Sequence, residues 1–327
     1  MAVTTKDLAR ICGVSRSTIN RALNGNGRIN PETKKRILDT ARELDYHPDL
    51  NARSMVNGKS GILGVIVENL DNRFYTSILD AILQEAEQDS YIINIAIHQN
   101  RTSVEAEVLR TLLGHKVDGI ILNPVSKGQM LADRLDKLPV PYCVLGFSEI
   151  SDRPCVGVDE YRLGYEAARY IIGKGYEHIV FVVPSYFDLQ GQVSGAHSLR
   201  WKGIQKAALE EGIMTSIVTD LSFARPCVEI FKKSSRRTAF FCSADFDAKV
   251  VGSALLSAGY LYRRDYGLMG VDASQKFDNW GPRITSVDNH TSLMGKYAEQ
   301  IVMSQISGSA YEKKKIIDFN IMEGETL

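Results

Sequence analysis

Two arginines, two serines and an asparagine crowd into residues 15–21, inside the stretch "CGVSRSTINRAL". On a helix, Arg16, Ser17, Asn20 and Arg21 share the outward side, and Ile19, Ala22 and Leu23 the inward one. The chemistry this face offers is reading of base edges, because arginine's planar fork matches the two acceptors guanine presents in the major groove. Asn24 and Arg28 follow at the helix exit, where phosphates would lie. The alternative is a charged, solvated face with no partner, and the preceding residues decide against it.

"TTKDLARIC" reads as a helix. Thr4 is its N-cap, Asp7 completes a variant of the capping box, and Leu8, Ile11 and Cys12 mark its apolar side. Gly13 ends it, as a residue free to take positive φ, and Ser15 caps the helix that follows. Ala9, Gly13 and Ile19 have the spacing of a helix-turn-helix: a small residue for close crossing, a glycine for the turn, an isoleucine to fill the angle. Asn30 and Pro31 start a third helix, along which Ile37, Leu38, Ala41 and Leu44 recur at helical spacing. Pro48 breaks the chain. Asp49 caps a short helical stretch, "LNARSMVN", that is too short to be stable alone, and residues 58–61 form a link.

Other chemistries find little support. No G-x-G-x-x-G follows the first strand-like run, and neither a G-x-x-x-x-G-K-[ST] nor a G-x-S-x-G motif occurs. His98, His115, His178, His197 and His290 are isolated, without ligand spacing, and read as ordinary surface or loop residues. Cys12, Cys143, Cys155, Cys227 and Cys242 are scattered, odd in number and without C-x-x-C, which predicts buried free thiols in a reducing cytoplasm rather than a metal or redox site. No cofactor is expected.

The elements that position these residues differ along the 327-residue chain, whose length suits two or three domains. Net charge is zero, 39 basic against 39 acidic, yet up to Gly61 basic residues outnumber acidic ones by about two to one. A basic head on an acidic body suggests an anionic partner. No apolar run reaches the roughly 18 residues of a membrane span, and the first residues lack the pattern of a signal peptide. After the link, "GILGVIV", "YIINIAI", "DGIILNP" and "PYCVLGF" alternate with helical stretches. A second set, "HIVFVVP", "TSIVTD", "TAFFCSAD" and "YGLMGVD", repeats the grammar. The fold class is therefore α/β: a three-helix head and hinge helix, then two doubly wound parallel-sheet subdomains with a ligand cleft at the strand ends between them.

The head resembles the lac repressor / galactose repressor family of bacterial transcription regulators, in "TKDLARICGVSRSTINRALNGNGRINPETKKRILDTARELDYHPDLNARSM". The resemblance extends over essentially the whole chain and implies a homodimeric repressor on double-stranded operator DNA. It implies DNA contacts from Thr4, Ser15, Arg16, Ser17, Thr18, Asn20, Arg21, Asn24, Arg28, Asn30, Thr33 and Tyr46. Asn51, Ala52, Arg53 and Met55 of the hinge join them, Met55 standing where the family has a leucine wedge for a minor-groove step. In the body, which is similar to sugar-binding periplasmic proteins, "DNRFY", "RWKGI" and "GLMGVDA" match the family's cleft motifs. They imply a carbohydrate-like effector held by Asn72, Phe74, Tyr75, Arg200, Asp245 and Asp272. Core packing for Phe74 and an interlobe salt bridge for Arg200 are the plain alternatives. Ala244 and Asp245 replace the family's asparagine–aspartate pair, and residues 185–198 are unlike most relatives.

The expected organisation is a DNA-binding domain over 1–47, a hinge and linker over 48–61, and a two-lobed effector and dimerisation domain over 62–327. The first lobe takes about 62–158 and 290–312, the second about 159–289 and 313–327. The C-terminal "KKKIIDFNIMEGETL" reads as one last strand without heptads, so a dimer rather than a tetramer is expected, cytoplasmic and off the membrane. A transport binding protein, an enzyme on the same fold, and a regulator switched by a protein partner instead of a small ligand are the competing functions.

Overall fold

The computed structural model describes residues 3–24, 28–46, 58–146, 152–184, 195–273 and 281–327. It divides into two units, Met1–Ser60 and Gly61–Leu327.

The first unit contains α1 (Thr5–Ile11), α2 (Arg16–Asn24) and α3 (Pro31–Glu43). Each start has a local cause. Thr4 and Asp7 form a reciprocal capping box on α1. Ser15 Oγ accepts from the Thr18 N–H at 3.2 Å, and Asn30 Oδ1 accepts from Glu32 and Thr33. Gly13 takes φ +61°, closing the turn between α1 and α2. Leu8, Ala9, Cys12, Ile19, Ala22, Ile37 and Ala41 make the small core. Ile11 is a correction to the expected apolar side of α1: it is 53% exposed, while Ala9 is turned inward instead. The expected hinge helix lies outside the described residues.

The second unit has two six-stranded sheets. The first runs in the order β11 (Lys314–Ile317), β5 (Cys155–Val158), β4 (Tyr142–Leu145), β3 (Gly119–Leu122), β1 (Ile62–Val67), β2 (Ile92–Ile97). The second runs β12 (Asn320–Met322), β10 (Thr285–Asp288), β9 (Tyr266–Val271), β8 (Thr238–Cys242), β6 (His178–Val182), β7 (Met214–Val218). All pairs are parallel except β10 with β12. The helices between them are α4 (Arg73–Gln88), α5 (Thr102–Gly114), α6 (Gly128–Asp136), α7 (Glu160–Gly173), α8 (Ala196–Glu210), α9 (Ala224–Lys233), α10 (Asp245–Ser257) and α11 (Thr291–Ser307). Continuous burial of β3, β5, β6 and β8 is what a parallel sheet covered on both faces requires.

Two details differ from the sequence expectation. The C-terminal stretch forms two strands, and β11 pairs with β5 in the first sheet, so residues 314–317 belong with the first lobe rather than the second. Strands β5 and β10 are not set off by apolar runs: β5 is interrupted by Gly157 and followed by Asp159, and β10 reads Thr-Ser-Val-Asp. All five cysteines are free and buried.

The second lobe rests on a close helix crossing. A Cβ on Gly164 of α7 would sit 2.0 Å from the Arg200 carbonyl oxygen, and one on Gly203 of α8 would sit 2.1 Å from that of Tyr161. The two backbones touch where any side chain would separate them. Gly164→Ala and Gly203→Ala should each lower stability by about 1–3 kcal/mol or more. The check is the midpoint of urea unfolding; an unchanged midpoint in both variants contradicts the crossing.

Candidate functional site

Two surfaces carry unspent chemistry, one in each unit. On the head, Arg16, Ser17, Asn20 and Arg21 of α2 are all exposed, opposite buried Ile19 and Ala22. Arg16 and Arg21 make no ion pair among the described residues, whereas Arg10 and Arg42 face Asp7 and Asp39. Arg28 is exposed. The other predicted head residues have structural duties. Thr4 and Asn30 cap helices, Ser15 caps α2 and bonds Ser17 and Thr18, and the half-buried Tyr46 hydroxyl meets Thr5 Oγ1 at 2.9 Å. Thr33 is half-buried and its N–H is taken by Asn30. Asn24 ends α2. Asn51, Ala52, Arg53 and Met55 lie outside the described residues.

In the second unit a cavity of about 730 Å³ opens at the carboxyl ends of the strands, lined from both sheets. Glu68, His98, Asn123, Gly146, Ser243, Asp272 and Asn289 each directly follow a strand and each lines it. Of the six predicted effector residues, Asn72, Phe74, Tyr75, Arg200 and Asp272 line the cavity. Asp245 does not, and this corrects the expectation: it is 1% exposed and accepts the Ser286 hydroxyl at 2.6 Å, leaving Ala244 as the lining residue. Asn72 Oδ1 caps α4 through the Phe74 N–H. Phe74 packs against the main core and meets Tyr75 edge-on with ring centres 5.1 Å apart. The Tyr75 hydroxyl donates to Glu68 at 3.0 Å.

Arg200 is 3% exposed, and each of its three guanidinium nitrogens donates a hydrogen bond. Its Nε and Nη2 donate to Glu160 Oε2 at 3.0 and 2.7 Å, and Nη1 donates to the Ser243 carbonyl at 3.0 Å. Its salt bridge is with Glu160, inside the second lobe, so the interlobe pairing weighed as the alternative is not the one that forms. Glu160 sits in the first turn of α7, two residues past β5, and the sequence reasoning missed it.

Sequence reasoning also missed Asn289, which is 2% exposed, donates to Asp272 Oδ1 at 2.8 Å, and keeps its Oδ1 buried without a hydrogen-bond partner among the described residues. The histidines need correction too. His98 and His178 are buried, not surface residues, and His98 and His197 line the cavity. The Asn100 N–H donates to His98 Nδ1, which places the proton on Nε2 facing the Asn123 carbonyl at 3.0 Å. Burial lowers the pKa of His98 and holds that of His197 well below the usual range. Both rings are thus neutral near pH 7. Among the described residues no cluster of His, Cys, Asp or Glu is arranged to hold a metal ion.

Burial, with Asp245 nearby, pushes the Asp272 carboxyl up to about 7. An unfolded aspartate titrates at about 4. Between those values the folded chain holds a proton that the unfolded chain has lost, so stability falls as pH rises through the window and levels off above it. Asp272 has φ +91°, which asparagine tolerates better than most residues. Asp272→Asn should therefore stabilise the protein more at pH 8 than at pH 5, measured by thermal unfolding at both values. Equal shifts at the two would contradict the assignment.

Comparison with known proteins covers both units. The family model described as "Bacterial regulatory proteins, lacI family" matches residues 4–49, and "Periplasmic binding proteins and sugar binding domain of LacI family" matches residues 60–322. The HTH-type transcriptional regulator MalR of Streptococcus pneumoniae is 33% identical over 327 residues, spanning 96% of each chain. A crystal structure of the lac repressor dimer bound to operator and the anti-inducer ONPF superposes with a TM-score of 0.88 at 19% identity, covering 100% of this chain and 99% of that one. A complex of the transcriptional regulator CelR with cellobiose gives 0.70 at 21% identity, covering 99% of each.

Proposed function

We propose how the two surfaces work together in a chain that belongs to the lacI family of bacterial regulatory proteins and is, as such, a DNA-binding transcriptional regulator. The reading is a homodimeric, cytoplasmic repressor without catalytic function. Its operator affinity is set by a carbohydrate-like ligand in the cleft. The observation that carries it is the cavity itself, a cleft of mixed polar and apolar lining built largely by residues that directly follow the strands of both sheets.

On the DNA side, Arg16 is the proposed guanine reader, with Ser17, Asn20 and Arg21 alongside. Ser15, Thr18, Thr4, Arg28, Asn30, Thr33 and Tyr46 supply the backbone and groove contacts, since capping residues at helix N-termini lie where phosphates approach. One helix-turn-helix reads few base pairs, so two copies on a palindrome are required. The hinge residues Asn51, Ala52 and Arg53 and the wedge Met55 complete the contact over the minor groove.

On the ligand side, a lining that mixes hydrogen-bonding groups with apolar faces suits a polyol. Each hydroxyl leaves water without loss only where it regains a hydrogen bond. The unpartnered Asn289 Oδ1 supplies an acceptor for a ligand hydroxyl, and Asp272 and Ser243 lie beside it on the same wall. The Arg200–Glu160 pair frames that wall rather than offering a free charge. Phe74 contributes an apolar face. The cellobiose in the CelR complex supports the class of ligand, not its identity.

Two variants separate the functions. Arg16→Ala should weaken specific operator binding by about 1–3 kcal/mol and leave non-specific binding nearly intact. Asn289→Ala should keep operator binding and abolish the response to whichever saccharide, from a panel of mono- and disaccharides including cellobiose, shifts the operator affinity of the wild type. Gel-shift titrations with and without each saccharide read both. An Asn289→Ala protein that responds normally removes the cleft wall from the mechanism. Operator binding by the dimer should also fall about 10³–10⁵-fold between 50 and 200 mM salt if it makes about 6–10 phosphate contacts. A flat salt dependence contradicts the DNA assignment.

A further inference from the structure

The first-lobe wall of the cavity is the loop over residues 123–127, between β3 and α6, with Thr102 and Ser103 at the start of α5 beside it. A loop at a ligand wall has to present its groups in fixed positions, yet this one belongs to no strand or helix. Much of its order comes from a buried side chain behind it. Glu105 of α5 is 0% exposed and spends its carboxylate almost wholly on the loop. Oε2 accepts from the Val125 N–H at 2.5 Å and from the Ser126 N–H at 3.2 Å. Oε1 accepts from the Ser126 hydroxyl at 2.5 Å and pairs with Arg134 of α6. The neutral His98 holds the near end of the loop through the Asn123 carbonyl.

We propose that Glu105 is the positioning residue of the cleft's first-lobe wall. It touches no ligand. It fixes Val125 and Ser126 from behind, so that Asn123, Val125 and Lys127 face the cavity in one arrangement. The arrangement of bonds is specific: a carboxylate buried this deeply is stable only when its lone pairs are filled, and three of the four partners come from two consecutive loop residues. The ion pair with Arg134 neutralises the charge and ties α5 to α6, but it does not touch the loop. The inference rests on the cleft being the ligand site, and its test is built so that the two can fail separately.

The test uses full-chain protein and reads amide hydrogen exchange by mass spectrometry over a peptide spanning residues 123–130. In Glu105→Ala, exchange at Val125 and Ser126 should rise about ten- to hundredfold, the effect of losing hydrogen bonds to a charged acceptor. Exchange in the second sheet and operator affinity should be unchanged. Glu105→Gln keeps an oxygen for the two N–H groups and should restore most of the protection. Arg134→Met, which removes the ion pair and spares the loop bonds, should leave the protection in place. Should Glu105→Ala not fold, Glu105→Asp, one methylene too short to reach Val125, carries the same expectation in weaker form. Unchanged exchange in a folded Glu105→Ala or Glu105→Asp protein overturns the proposal, as does an Arg134→Met protein whose loop exchanges as fast as that of Glu105→Ala. In parallel, the saccharide panel is titrated against the wild type. If none binds, the cleft reading fails, while the exchange result still decides the role of Glu105.

Discussion

A guanidinium buried at the bottom of a cleft has to be neutralised on the spot, and the second lobe is arranged around that requirement. The Arg200 and Glu160 side chains are 4% and 12% exposed, and removing one partner of such a pair costs about 3–5 kcal/mol. The pair forms only because α8 lies directly on α7, and α8 lies there only because Gly164 and Gly203 let backbone meet backbone. Glu160 follows β5 of the first sheet, and Ser243, whose carbonyl takes the third hydrogen bond, follows β8 of the second. One charge thus binds together two helices and the ends of strands from both sheets. The ligand wall made by Ser243, Asp272 and Asn289 stands on that junction.

The first lobe solves a similar problem with different groups. Its wall contains a buried neutral imidazole, His98, which lines the cavity while bonding backbone on both ring nitrogens, and behind it a buried carboxylate, Glu105, that bonds the loop. The two walls therefore differ in kind. One offers charged and amide groups to a ligand, while the other presents loop residues held from behind. A ligand bridging them would be sensitive to the relative setting of the lobes, which is the property a switch needs.

Much of this was legible in the sequence, for definite reasons. The head is readable because its signals are local. Thr4 with Asp7, Gly13, Ser15, and Asn30 with Pro31 each act within a turn of the chain, and each does in the structure what its type predicts. Ile11 escaped because a seven-residue helix has too few positions to fix its buried side. In the body, apolar runs announced most strands, the four-residue β3 and β4 among them, while β5 and β10 lack such a run and only two residues separate β11 from β12. The cleft was half legible. Asn72, Phe74, Tyr75, Arg200 and Asp272 came through resemblance. Glu160, His98 and Asn289 were missed, although the rule that ligands bind at the carboxyl ends of strands marks the residues just after each strand. Asp245 misled because a single position separates half-buried Ala244, the cap that lines the cavity, from buried Asp245 at the start of α10. The pairing of Arg200 with Glu160 joins residues forty apart, and no local pattern encodes it.

The central claim is that operator and ligand act on one equilibrium through separate surfaces. Its most direct test is a closed thermodynamic cycle on the wild-type protein. Operator affinity is measured with and without the active saccharide, and saccharide affinity with and without bound operator. The two ratios must be equal and different from one, because coupling between two binding sites is reciprocal. A saccharide that binds with the same affinity to free and operator-bound protein would contradict the account.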